Sequence, residues 1–181
     1  MIFGKGIFVR GGYWPAVLLL CLLVSCQPPL ENVVLQNTFE QAGALDVSRD
    51  YAHTGGQSLK IGQPSEYSNL SDCTWAALGQ PHHLRLRLWT WLPNAQLSFA
   101  RLVLNVRRPS STPGAPPNVL HSQVLNMCEV IKRYRQWEPT SFYVSLPKEL
   151  QPSDQVLLFM WVPPSQGGAV YVDDFSIEKL N

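Results

Sequence analysis

The sequence predicts an all-β fold, a jelly-roll β-sandwich of two antiparallel sheets. Three observations predict it. Apolar residues alternate or fall in short blocks, and nowhere hold the spacing of a helix face. Gly, Pro, Asn and Ser punctuate those blocks; the 181 residues include 12 Gly and 15 Pro. The blocks recur at the short intervals typical of sandwiches.

The expected strands, in order, are Val33–Phe39, Ala44–Val47, Ser58–Ile61, Thr74–Leu78, His83–Leu92, Gln96–Arg107, Val119–Val130, Thr140–Ser145, Gln155–Val162 and Ala169–Lys179. In His83–Leu92 the period is two. Leu84, Leu86, Leu88 and Leu92 fall on one face, and Arg85, Arg87, Trp89 and Trp91 on the other. Gln155–Val162 is apolar almost throughout, as expected for a central strand covered on both faces, which makes Trp161 a core residue. The run Arg107–Asn118 is rich in Pro and Ser and reads as a long loop between two strands. There is no internal repeat and no sign of a second domain.

Residues 1–25 read as a targeting segment. Lys5 and Arg10 precede an apolar run from Ala16 to Val24, too short to span a bilayer comfortably, and Ser25-Cys26 follows. Leu23-Val24-Ser25-Cys26 resembles the lipobox of bacterial lipoproteins. That resemblance implies cleavage before Cys26 and lipidation of Cys26 as the first mature residue. Two or more acyl chains suffice for stable anchoring, at about 0.8 kcal/mol per buried CH₂. Residues 26–32 then form a lipidated tether stiffened by Pro28 and Pro29, and 33–181 form the sandwich domain. Gln27 after the Cys implies sorting to the outer membrane, so the expected location is the bacterial cell envelope, with the membrane held through the lipid.

Removing Lys5 and Arg10 from the 14 basic residues leaves 12 against 13 acidic, a mature charge of −1. Nucleic acid is excluded as a partner, since it requires a basic face. With Cys26 lipidated, Cys73 and Cys128 remain in the mature chain. An exported compartment permits a disulfide between them; the alternative is two buried free thiols.

Three stretches together resemble carbohydrate-binding modules with the galactose-binding-domain-like jelly roll. They are NTFEQ at Asn37–Gln41, YAHTGGQSLKI at Tyr51–Ile61, and the closing VYVDDFSIEKL. The resemblance implies that they meet at one edge around a structural Ca²⁺. Calcium takes six to eight oxygens from carboxylates and carbonyls. Glu40 and Asp173 or Asp174 would supply carboxylates, and the Thr54–Gln57 turn carbonyls, with Gly55 and Gly56 letting the backbone bend. Strand alternation splits the two aspartates, one inward and one outward. Asp173, on the face of Phe175 and Ile177, is the expected ligand. The alternative is a carboxylate that satisfies N–H groups of the His53–Gln57 turn without metal.

Trp89 and Trp91 with Arg85 and Arg87 are the expected ligand face, since rings stack on sugar faces and guanidinium groups donate to hydroxyls. The alternative packs these tryptophans beneath a loop, with the arginine stems along their edges. Trp137 resembles the family's core tryptophan and is read as structural. His82 and His83 are adjacent and would point to opposite faces, a poor transition-metal pair. No G-x-S-x-G or H-E-x-x-H marks a catalytic centre, so no enzyme is expected. The expected function is a non-catalytic, membrane-anchored binding module at the cell envelope, with carbohydrate the expected ligand. The alternative is a structural or adaptor lipoprotein holding an envelope protein. Burial of Trp89 and Trp91 under the Arg107–Asn118 loop would favour the adaptor.

Overall fold

The computed structural model describes residues 32–41, 46–62, 65–95, 99–164 and 168–180. The expected targeting segment (1–25), the expected lipidation site Cys26 and most of the expected tether lie outside the described residues. Ten strands and one short helix follow in order: β1 (Val33–Asn37), β2 (Val47–Ser48), β3 (Ser58–Gly62), β4 (Tyr67–Thr74), β5 (His83–Trp91), β6 (Arg101–Arg108), β7 (Asn118–Asn126), α1 (Met127–Val130), β8 (Trp137–Ser145), β9 (Gln155–Trp161) and β10 (Ala169–Leu180).

Two antiparallel sheets pack face to face, as the periodicity predicts. The six-stranded sheet runs β2-β3-β10-β5-β8, with β1 pairing the far half of β10; the four-stranded sheet runs β4-β9-β6-β7. Leu84, Leu86 and Leu88 of β5 and Phe175 and Ile177 of β10 face inward against Leu102, Leu104, Val106, Val156, Leu158 and Met160. Each fully buried aliphatic side chain in this core is worth about 1.5–3 kcal/mol of transfer free energy. The core is formed by the inward halves of strands with a period of two, so every strand also has an outward face.

Three expectations are corrected. The segment Thr74–Leu78 is a turn, and the strand lies just before it, at Tyr67–Thr74. Its inward positions include Ser68 and Ser71 as well as Leu70, so the apolar alternation is too weak to read. The chain also makes one helical turn, at Met127–Val130, where a strand continuing to Val130 was expected. Among the described residues strand β9 is fully buried on one face only: its burial alternates, and Gln155, Leu157, Phe159 and Trp161 are half-buried. Trp161 is therefore an outward residue, not core.

The proposed disulfide does not form; Cys73 and Cys128 are both free. Cys73 lies on β4 and Cys128 just past β7, the two opposite edges of the four-stranded sheet. Three strand spacings of about 4.8 Å put those edges ~14 Å apart. A disulfide needs Cα atoms within about 7 Å.

Two outward faces as candidate sites

The two sheets present opposite kinds of surface. On the six-stranded sheet, the rows read across β10, β5 and β8 as Tyr171–Trp91–Trp137, Asp173–Trp89–Pro139, Ser176–Arg87–Ser141 and Glu178–Arg85–Tyr143. The sequence thus correctly groups Arg85, Arg87, Trp89 and Trp91 on one face. Much of that face is already occupied. The segment Asp50–Thr54 crosses it as a strap. Tyr51 stacks on Trp91 with centroids 3.9 Å apart, and His53 stacks on Trp89 at 3.8 Å. Trp91 keeps only 9% of its surface in solvent. The covering segment is this strap, not the Arg107–Asn118 loop, which joins strands of the other sheet. Trp137 sits on this outward face too, edge-on to His53 at 5.8 Å, and is not in the core cluster. The two arginines are engaged as well. Arg85 donates to Glu178 through Nε at 2.7 Å and through Nη2, and Arg87 Nη1 donates to the other carboxylate oxygen at 3.1 Å. Burial pushes the Glu178 carboxyl up, but the bonds from Arg85 and Arg87 outweigh it and hold it below the usual glutamate value.

The adjacent aspartates fasten the strap. Asp173 Oδ2 accepts the main-chain N–H groups of His53 at 2.8 Å and Thr54 at 3.2 Å, and its Oδ1 accepts that of Asp174 at 2.8 Å. Asp174 Oδ2 pairs with His53 Nδ1 at 2.6 Å, and its Oδ1 accepts the Thr54 hydroxyl at 2.7 Å. The expected inward–outward split fails because the strand is not regular. A bulge between Asp173 and Ser176 inserts an extra residue, and Asp174 takes φ +47°. Asp173 therefore pairs opposite Trp89 on the outward face, while Phe175 points into the core. Both carboxylates reach the strap. Burial holds the Asp173 carboxyl above the ordinary aspartate value, against the opposing pull of the N–H groups it accepts.

The expected calcium ligands are arranged differently. Glu40 does reach the glycine turn, but its Oε1 accepts the Gly56 and Gln57 N–H groups, both at 3.0 Å. A side chain at Gly55, which lies at φ +61°, would collide with that carboxylate. Of the six carboxylate oxygens of Glu40, Asp173 and Asp174, five accept an N–H or O–H donor from this network. Among the described residues no three His, Cys, Asp or Glu side chains are grouped to hold a metal. Calcium takes its oxygens from carboxylates and carbonyls; here N–H and O–H donors converge on the acids.

The four-stranded sheet has no such roof among the described residues. Its outward rows across β4, β9, β6 and β7 are Tyr67–Trp161–Arg101–Asn126, Asn69–Phe159–Val103–Val124, Asp72–Leu157–Asn105–Ser122 and Thr74–Gln155–Arg107–Val119. Tyr67 is 62% exposed. Trp161 and Phe159 are half-exposed beside it, and the Arg101 guanidinium lies 5.2 Å from the Trp161 ring. Arg107 donates to Gln155 at 2.9 Å and to Asp72 at 2.9 Å, which locks one corner of the face. The result is a band of rings flanked by amides, a hydroxyl and charged groups. Sequence reasoning missed it because an unbroken apolar run looks buried on both sides. The signal that could have found it is the polar alternation of Arg101, Asn105 and Arg107 on the neighbouring strand.

The same architecture occurs in solved carbohydrate-binding modules. A tandem pair of family 22 modules from Paenibacillus barcinonensis superposes with a TM-score of 0.50 at 14% identity, covering 82% of this chain and 50% of that one. The single xylan-binding first module of the same organism gives 0.47 at 16% identity, covering 83% and 96%. A family 22 module from Clostridium thermocellum gives 0.46 at 10% identity, covering 84% and 97%. No family model matches the sequence, and no curated protein sequence matches it. At these identities the likeness concerns the fold: a jelly-roll sandwich of the kind that carbohydrate-binding modules adopt.

Proposed function

We propose that this chain is a non-catalytic carbohydrate-binding module that lays a polysaccharide across the outward face of its four-stranded sheet. The observation that supports this reading is the cluster of Tyr67, Phe159 and Trp161 on the outward face of two adjacent strands, Tyr67 exposed and the other two half-buried. Sugar rings present apolar C–H faces, and an aromatic π-face is their natural partner because its negative quadrupole meets the positive C–H edge. Asn69, Asn105 and Ser122 flank the rings and can exchange hydrogen bonds with equatorial hydroxyls. A shallow face on a rigid sheet suits an extended chain better than a small metabolite, which prefers an enclosed pocket.

The fold of the family 22 modules supports the class of ligand, and the first Paenibacillus module is a xylan-binding domain. The anchoring part of the reading rests on the lipobox: the module sits at the cell envelope, tethered by lipid at Cys26. Among the described residues no helix is long and apolar enough to cross a membrane. Cys26→Ala is expected to release the protein from membranes; retention would remove the anchor.

The test is a binding screen of the purified protein against a panel of polysaccharides, with variants of each face. Trp161→Ala and Tyr67→Ala are expected to abolish retention, while Trp89→Ala and Trp91→Ala retain it if folded. Loss with the latter pair alone would move the site to the strapped face. No binding to any polysaccharide would leave the adaptor role, and a pull-down of envelope proteins would follow.

A further inference from the structure

Beside the outward face of the four-stranded sheet, at the edge formed by β4, lies an open pocket of about 370 Å³. This volume is at the lower end of the ~300–1,000 Å³ of ligand pockets. Phe39 and Leu59, each at most 5% exposed, form its base. Asp46 and Ser68 supply polar wall, and Tyr67 and Asn69 belong both to the pocket and to the outward face. The pocket and the face therefore share a rim.

Two details mark it as a prepared site. Asp46 Oδ2 accepts the Ser68 hydroxyl at 2.6 Å, which fixes the carboxylate, and no cation lines the pocket among the described residues. Phe39, at the base, is held in the left-handed region at φ +58°, with its N–H donated to Asn37 Oδ1 at 2.8 Å. A bulky residue rarely adopts that conformation, and such strain concentrates at ligand sites. A fixed carboxylate with no cation among the described lining repels anions and accepts hydrogen bonds from hydroxyls well. Apolar base, ring at the rim and acid acceptor together match a neutral polyhydroxylated ring.

We propose that this pocket is a second subsite that takes one neutral sugar unit, carried as a side branch on the chain lying across the outward face. The inference rests on the reading of that face as the polysaccharide platform. The chain's main axis runs over Trp161 and Tyr67, and the branch turns over Tyr67 toward Asp46.

Calorimetric titration separates the two readings. The ligands are a linear neutral polysaccharide and the same backbone carrying single neutral sugar branches. The proteins are wild type, Asp46→Asn and Trp161→Ala. Asp46→Asn keeps an acceptor for Ser68 and the shape of the wall while removing the charge. Wild type is expected to prefer the branched ligand about tenfold, the scale of one charge-assisted hydrogen bond. Asp46→Asn is expected to erase that preference and leave the linear affinity unchanged. Equal affinity for both ligands in wild type, or equal loss on both in Asp46→Asn, overturns the subsite while leaving the platform standing. Failure of wild type to bind either ligand overturns both. Thermal melts of each variant confirm that the loss is not unfolding.

Discussion

The two outward faces are built from the same strand geometry and have opposite fates. On the six-stranded sheet, Trp89 and Trp91 are stacked beneath His53 and Tyr51, and the strap that carries those rings is fastened by Asp173, by Asp174 and by the Tyr171 hydroxyl, which donates to Asp50. On the four-stranded sheet, Tyr67, Phe159 and Trp161 have no such cover among the described residues. The difference teaches that aromatic residues on a strand do not by themselves mark a ligand face. What decides is whether another part of the chain has polar anchors with which to close over them. Here the anchors come from β10, at Tyr171 and at the bulge that follows it; the four-stranded sheet has bulges of its own at Asn69–Ser71 and Val106–Arg107, but among the described residues none fastens a segment over its rings.

If this contrast is right, substitutions on the strapped face should act on stability and those on the open face on binding. The largest effect is expected for Asp173→Ala. It leaves three main-chain N–H groups without their acceptor in a buried place. The cost is about 3 kcal/mol or more, read by denaturant unfolding. A change below ~1 kcal/mol would mean that the strap is not held this way. Trp161→Ala should cost less stability, because the ring is half-buried on the outward face and no main-chain group depends on it, and should abolish polysaccharide retention.

Next comes Glu178→Gln, which leaves Arg85 and Arg87 without a charged partner; both arginines are partly in solvent, so the loss is about 1 kcal/mol. This residue also sets a pH dependence. Its folded value lies below the ordinary 4.5, so its contribution is complete above 4.5 and is lost as pH falls through the folded value. Asp173 has the opposite sign. Its folded value lies above 3.8, so the stability tied to its protonated form is complete below 3.8 and is lost as pH rises through the folded value. Unfolding curves between pH 3 and 6 should show Glu178→Gln flattening the acid limb; an unchanged limb would count against the pair.

A smaller effect of opposite direction is expected for Thr90→Val. The Thr90 hydroxyl is buried on the inward side with no partner, so replacing it by a methyl removes an unsatisfied polar group. A gain of up to about 1 kcal/mol is expected in the melt. The smallest effect is that of chelation. A strap closed by N–H and O–H donors predicts no change in melting temperature with a calcium chelator. A fall of several degrees would reinstate a calcium ion at Glu40 and Asp173.

Much of this was legible in advance, residue by residue. Leu84, Leu86 and Leu88 declared the core side of β5, and Arg85, Arg87, Trp89 and Trp91 its opposite side, because a strand alternates whatever surrounds it. Tyr51–Ile61 and the closing Asp173-Asp174 were grouped through resemblance, and His53, Thr54 and the two acids do meet. The sides of Asp173 and Asp174 were misread because the bulge is a property of pairing with β5, and no local residue announces it. Trp161 was misread because an apolar strand looks the same whether one face or two are covered. The edge strand at Tyr67–Thr74 was hidden by serines at inward positions.

By itself, then, the sequence determined the all-β class and the inward half of most strands. Those depend on short-range period and composition, which any chain carries in its own order. Only the tertiary structure decided which face is roofed, where the two carboxylates point and that Cys73 and Cys128 are too distant to bond. These are properties of strand order and register, fixed by residues far apart in the chain, such as His53 and Asp173, separated by 120 positions. Such pairings form through the packing of the whole sandwich, and no window of the sequence contains them.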